Sequence, residues 1–163
     1  MATLNDMLIR SNQGMAYYKD KNSGRILKLI EARRIEASIN TDIHDYLPLG
    51  TLVTKHYPGS MSISGTMELY MCSSFFLKQM ELYKLTGTPF YFNLQIINGT
   101  LQEQGTVIPM NAGIGFQSVT LIDVLLSTTP ITTLGTDTEG AYGTFNFTAN
   151  DYQLEKEFNE VQR

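Results

Sequence analysis

The sequence predicts a mainly β protein: an antiparallel β-sandwich or barrel of two packed sheets, with one flanking α-helix over about residues 74–86. Three observations carry that prediction. Along Ser62–Met71 the odd positions Ile63, Met67, Leu69 and Met71 are apolar, and the even positions Ser62, Ser64, Thr66 and Glu68 are polar. Along Arg34–Ile43 the same division puts Ile35, Ala37, Ile39 and Ile43 opposite Arg34, Glu36, Ser38, Asn40 and Asp42. Side chains alternate faces along a strand, so both stretches read as strands dry on one side and wet on the other, paired as neighbours in one sheet. The third observation is that a single segment shows sustained helical spacing.

That segment follows Met71. Ser73 and Ser74 offer hydroxyls to the free N–H groups of a helix starting near Phe75. Phe76, Met80 and Tyr83 recur at i, i+4 and i+7, which makes one apolar stripe for packing. Gly87 suits the left-handed turn at a helix end, and Pro89 stops continuation. Leu77, Leu82 and Leu85 lie off the stripe, so a second covering surface is expected, from a loop or from a neighbouring subunit.

The rest of the chain divides as follows. Met1–Asn12 reads as an N-terminal arm in which Asn5 or Asp6 caps one short turn. Gly14–Asp20 and Arg25–Ile30 form a hairpin around Lys21-Asn22-Ser23-Gly24. Residues 44–60 read as a long inter-strand loop, far beyond the usual two to five residues of a hairpin connection. It carries Tyr46, Leu47, Leu49, Leu52, Val53 and Tyr57. Such side chains are poor choices to leave in water. One reading is a short extra hairpin folded on its own domain; the preferred one is a projection that docks on another subunit. Beyond Pro89, Phe90–Ile97 alternates as a strand and Asn98–Gln104 as a turn. Thr106–Met110 reads as a short edge strand containing Pro109, and Ile114–Leu126 as a long β-branched strand. Ser127–Gly140 is a Thr/Gly/Pro-rich loop, and Ala141–Ala149 is an aromatic closing strand. A charged C-terminal tail, residues 153–163, follows. Residues 1–163 are expected to form a single domain, with no internal repeat.

Composition narrows the function classes. Only 17% of the residues are charged, against about a quarter to a third of a typical free surface, so much of the surface is expected to be occupied by partners. Residues 1–84 hold ten Lys/Arg and eight Asp/Glu, whereas residues 85–163 hold two and eight. The basic residues between Arg10 and Arg34 are interleaved with Asp20 and Glu31, which argues against a nucleic-acid reader. The single Cys72 excludes an internal disulfide, fits a reducing compartment and reads as a small buried hydrophobe. Neither a secretory signal nor a membrane-length apolar run is recognised. The tripeptides Asn98-Gly99-Thr100 and Asn146-Phe147-Thr148 therefore read as chance matches to a glycosylation site.

No residue set supports catalysis. His44, His56, Asp42 and Asp45 are the candidate metal ligands, yet His44 and Asp45 point apart on an extended chain. Gly113-Ile114-Gly115 lacks the further glycine and helix of a phosphate loop. Glu36, Glu68 and Asp123 sit on polar strand faces rather than as acid–base pairs. No enzyme activity, metal or cofactor is expected.

Several short motifs, in order, resemble a known family. They are Gly59-Ser60-Met61 before the strand that holds Tyr70, Ser73-Ser74-Phe75 at the helix start, and Lys84-Leu85-Thr86-Gly87 before Phe90-Tyr91-Phe92. Phe145-Asn146-Phe147, followed by Asp151-Tyr152 and Leu154, completes the series. From about Ile30 onward the chain thus resembles the tail tube proteins of contractile-tailed phages and of phage-like particles from Gram-positive bacteria, the XkdM-like family. It departs from the pattern at Pro48 and Pro58.

The resemblance implies six copies in a ring and rings stacked into a hollow tube inside a contractile sheath. It implies a virion protein assembled in the host bacterial cytoplasm. The partners would be its own copies, the tail sheath protein, and baseplate and tail terminator proteins. DNA would pass without sequence-specific binding, and there would be no membrane insertion. The residues agree: paired strands joined edge to edge between copies would close into one large barrel with a wet bore. Glu36, Ser38, Asn40, Ser62, Ser64, Thr66 and Glu68 are the expected lumen-facing residues. Tyr46, Leu47, Leu49, Leu52, Val53 and Tyr57 are the expected ring-to-ring contacts. Alternatives are the tube of a tailocin or type VI secretion-like machine and, from another class, a lipocalin-like barrel with an apolar bore for a small ligand.

Overall fold

The computed structural model of the chain describes residues 14–21, 23–99, 116–136 and 140–157. The expected N-terminal arm, the Thr106–Met110 strand, most of the turn before it and the last residues of the tail lie outside the described residues.

Among the described residues, eight strands and one helix follow in order: β1 (Gly14–Asp20), β2 (Ile26–Lys28), β3 (Ala32–Tyr46), β4 (Lys55–Tyr70), α1 (Phe75–Thr86), β5 (Phe92–Gly99), β6 (Phe116–Thr128), β7 (Tyr142–Ala149) and β8 (Asp151–Lys156). All pairings are antiparallel, along the path β2-β1-β5-β6-β7-β4-β3, with β8 added on β6. The β1–β2 hairpin and the β3–β4 pairing match the sequence expectation.

The two layers exist because β6 changes sheet halfway. Its Ser118–Ile122 stretch pairs with β8, and Leu125–Thr128 pairs with β7. At the changeover Ile122 and Asp123 together oppose Asn93 of β5, a bulge. Asp123 takes a φ of 54°, a left-handed conformation that Asp tolerates better than most residues because its short side chain bonds locally. Its N–H donates to Asn93 Oδ1 at 3.2 Å, and its carboxylate pairs with Lys21. The Lys21 bond holds this carboxyl below the usual carboxylate range.

The core lies between the layers. Tyr18, Phe92, Leu94, Leu121 and Val124 from one side meet Met67, Leu69, Phe145 and Phe147 from the other. Phe92, Phe147, Met67, Leu94 and Val124 are all less than 2% exposed. Side chains therefore fill the interior, where a lipocalin-like barrel would keep an apolar bore. Burial, aided by the charge of Asp20, pushes the Tyr18 hydroxyl up to about 12, so it remains a neutral phenol.

The helix closes one end. Phe75 N–H donates to Ser73 Oγ at 3.3 Å, and Gly87 ends the helix at φ 71° with its N–H on the Tyr83 carbonyl at 2.8 Å. Phe76 is buried, its ring centroid 5.8 Å from Phe92 and 5.4 Å from Phe145. The expected stripe is seated only at its start: Met80 is half-buried, and Tyr83 is exposed along with Leu82 and Leu85. The first turn alone reaches the sandwich, and Phe75, not assigned to the stripe, joins the aromatic cluster around Tyr18.

Four further expectations change. The loop placed at 44–60 shrinks to Leu47–Thr54, because β3 and β4 keep pairing through Tyr46↔Lys55. Pro58 does not interrupt that ladder: it pairs with Ile43 beside a register shift, where a missing N–H is tolerated. Ile39 and Ile43, expected to face inward, are exposed because the hairpin runs past the body of the domain. The tail expected from residue 153 begins inside a strand, β8, which satisfies its backbone on β6. Cys72 is exposed rather than buried.

Two substitutions test this architecture by urea denaturation. Asp123→Val is expected to destabilise the fold by about 1–2 kcal/mol, from the cost of a left-handed β-branched residue. Asp123→Gly should cost less than the valine, since glycine takes the left-handed conformation freely and only the exposed carboxylate's contacts with Lys21 and Asn150 are lost. A Cβ at Gly65 would meet the Glu36 carbonyl oxygen and the ring of Phe147. Gly65→Val is accordingly expected to cost about 1–3 kcal/mol through overpacking.

Candidate functional site: a polar sheet face and a projecting arm

The β3–β4 ladder brings the expected lumen residues together. In register, Glu36 faces Thr66, Ser38 faces Ser64, Asn40 faces Ser62 and Arg34 faces Glu68. All seven share one face, opposite the buried Met67 and Leu69. Alternation along each strand makes this the outer face of the sandwich.

The face is wider than these seven positions. On β7, Thr148, Asn146 and Thr144 oppose Ser64, Thr66 and Glu68, and Thr128 of β6 opposes Asn146. These four were missed by sequence reasoning. Their signal was present, since Thr144, Asn146 and Thr148 alternate with Gly143, Phe145 and Phe147, but only the tertiary pairing places β7 beside β4.

Short side chains knit the surface together. Asn40 Nδ2 donates to Ser64 Oγ at 3.0 Å, Asn146 Nδ2 to Thr128 Oγ1 at 3.3 Å, and Ser60 Oγ to Asp42 Oδ2 at 2.9 Å. Both glutamates are paired: Glu36 with Arg34, and Glu68 with Arg33 at 3.2 Å. The Arg33 guanidinium also lies 4.0 Å from the centre of the Tyr142 ring. The face is a hydroxyl and amide surface whose carboxylates at these positions are already compensated.

Beyond Asn40 and Ser62 the hairpin leaves the body as an arm. His44 stacks on Tyr57 at 5.2 Å between centroids, and Tyr57 lies 5.9 Å from Tyr46. On the other side of the ladder Asp45 pairs with His56. The four residues considered as metal ligands are thereby divided between two faces, and the described residues contain no group of three or more His, Cys, Asp or Glu placed to hold a metal.

At the tip, Leu49 and Leu52 are fully exposed, and Tyr46, Leu47, Val53 and Tyr57 are about half or more exposed. The structure thus gathers the six apolar loop residues at the distal end of one arm. Ile39, Ile43 and Met61 add exposed apolar surface along its length. Contiguous apolar area of this kind marks an interaction surface. Elsewhere, a groove of about 440 Å³ opens at the flank between β1, β2 and β3, lined by Ala16, Leu29 and Ile35 but also by Lys28, Arg33 and Arg34. No helix among the described residues is long and apolar enough to cross a membrane.

Solved structures share this fold. The sheath/tube terminator of an extracellular contractile injection system, PVC, in the extended state superposes with a TM-score of 0.65 at 12% identity, covering 91% of this chain and 97% of that one. A chain of the anti-feeding prophage baseplate gives 0.63 at 12%, covering 94% and 97%. One from the tube-terminating cap of the same prophage gives 0.64 at 14%, covering 91% of each chain. Among curated proteins none matches significantly. The sequence itself matches the family described as phage tail tube protein over residues 5–155. With that match spanning nearly the whole chain, the protein belongs to the phage tail tube family and is a structural component of the tube.

Proposed function

We propose that six copies of this chain close head to tail into a ring, and that rings stack into the inner tube of a contractile tail. The polar face of β3, β4, β7 and the end of β6 lines the bore, and the arm reaches the next ring. DNA passes through the bore during infection. The observation that carries this reading is a four-stranded layer, wet on its outer face, with an available edge on each side. Among the described residues β3 pairs only with β4, and β6 beyond Val124 pairs only with β7.

Strand direction supports the closure. In an antiparallel layer of four, the first and fourth strands run oppositely. Rotation about an axis along the strands preserves direction, so β3 of one copy meets β6 of the next as an antiparallel pair. The geometry within the subunit then continues around a barrel with no edge left. Neutral hydroxyls with paired carboxylates hold DNA weakly, where a cationic wall would grip its phosphates.

The neighbours from sheath/tube terminator, baseplate and cap assemblies favour baseplate, terminator and sheath subunits as partners here, and the host cytoplasm is the proposed place of assembly. All three of those neighbours come from an extracellular injection system or an anti-feeding prophage, which supplies the second reading: the same tube in a particle that carries no genome. Presence or absence of DNA in purified particles decides between the two.

Electron microscopy of the purified protein with its baseplate should show rings or tubes; monomers alone at high concentration would overturn the proposal. Replacing Leu47, Leu49 and Leu52 together by Ser should abolish tube growth while leaving the melting temperature within about 2 °C, because the side chains removed are exposed. Tubes of a Ser64→Lys, Thr66→Lys variant should retain DNA in ~150 mM salt and release it as salt is raised, whereas the parent tube retains none. Equal retention by both would remove the polar face from the bore.

A further inference from the structure

The proposed ring seam uses the inner layer; the outer layer has free edges as well. Among the described residues β8 pairs only with β6, and β2 pairs only with β1. Their positions follow from topology. Where β6 crosses between layers it leaves β8 as the outer edge on the flank where its own end is the inner edge. On the opposite flank β2 turns through Leu29–Glu31 directly into β3, with Ala32 N–H on the Leu29 carbonyl at 3.3 Å. Each flank thus presents one outer and one inner edge: β8 with β6 on one side, β2 with β3 on the other. Any rotation that joins β6 to β3 therefore brings β8 towards β2 of the next copy.

The two flanks carry opposite charge. From Asp151 to Glu157 there are three acidic residues and one lysine; from Arg25 to Arg34 there are four basic residues and one glutamate. Asp151, Glu155 and Glu157 form no ion pair among the described residues, and neither do Arg25 and Lys28. Glu155 is held in place by neutral donors: Thr120 Oγ1 at 2.8 Å, Gln95 Nε2 at 3.2 Å and Ser118 Oγ at 3.4 Å. Those bonds draw its carboxylate over β6 and β5, which leaves Asp151 and Glu157 as the acidic groups at the β8 edge. Exposed apolar side chains accompany both edges, Ile26 and Ile30 on one flank and Tyr152 and Leu154 on the other.

We propose that β8 of one copy and the β2 edge of the next form a second, charge-complementary seam around the outside of the ring, with Asp151 and Glu157 facing Arg25 and Lys28. It rests on the head-to-tail ring of the preceding section. Counting alternations across the layer, β2 and β8 run in the same direction, so the outer edges meet in parallel while the inner edges meet antiparallel. The outer seam sets which flank meets which before the inner strands zip. Unpaired charges steer that encounter and penalise the reversed one, in which like flanks would meet.

Charge reversal tests the seam. Arg25→Glu with Lys28→Glu, and separately Asp151→Lys with Glu157→Lys, should each slow ring and tube formation at least ~tenfold at low salt without changing the thermal melt. Combining all four in one chain should restore assembly, and raising salt should slow the parent towards the variants. Parent tubes that form at the same rate with either pair reversed would overturn the seam while leaving the ring intact. Variants that form normal tubes but no longer take up sheath subunits would assign the charges to the sheath, which also overturns it. A parent chain that forms no rings at all would overturn the ring and the seam together.

Discussion

One constraint organises this protein: a four-stranded layer must bury one face in its own core and keep the other wet. Met67, Leu69, Phe145 and Phe147 satisfy the first demand, and the hydroxyls and amides at alternate positions satisfy the second. Because the side-chain period of a strand is two, neither face can change without the other. A one-residue slip would put Phe147 in water and Thr148 in the core. The core thereby fixes the composition of the outer surface.

The same layer explains why so much apolar surface stays uncovered in a single copy. β3 and β4 pair over thirteen registered positions, but the domain behind them is shorter than they are. Past Ile35 and Ile63 the dry face runs on with none of the described residues packed against it, and the arm ends in leucines open to water. The outer half of the helix repeats the pattern with Leu82 and Leu85. A monomer that keeps these surfaces is built for a neighbour. In the ring and stack proposed above, other copies would cover these surfaces.

The bend in β6 links the core to the flanks. Left-handed Asp123 lets one strand serve both layers, and its pairing with Lys21 ties the bend to the β1–β2 turn. The bend also decides which edges are left over. β7 and β8 follow one another along the same edge of β6, on Leu125–Thr128 and then on Ser118–Ile122, so the bend carries one of them into each layer and leaves matched edges on each flank.

Local information was enough for the elements whose cause is local. The alternation in Ser62–Met71 and Arg34–Ile43 gave two strands and their polar faces, while Ser73 and Gly87 bounded the helix within a residue. The Lys21–Gly24 turn marked the first hairpin. These follow from side-chain periodicity and backbone conformation, which a short window contains. What only the tertiary structure decided depends on contacts distant in sequence. Whether Ile39 and Ile43 are buried depends on how far the opposite layer extends, not on their own alternation. Whether Tyr46 to Tyr57 is a loop or an arm depends on a ladder that survives Pro58, and the strand character of Asp151–Lys156 depends on an edge of β6 left open by its bend. Periodicity states which side of a strand is apolar, but burial requires a second surface, and the folded chain supplies that surface only as far as its own core reaches.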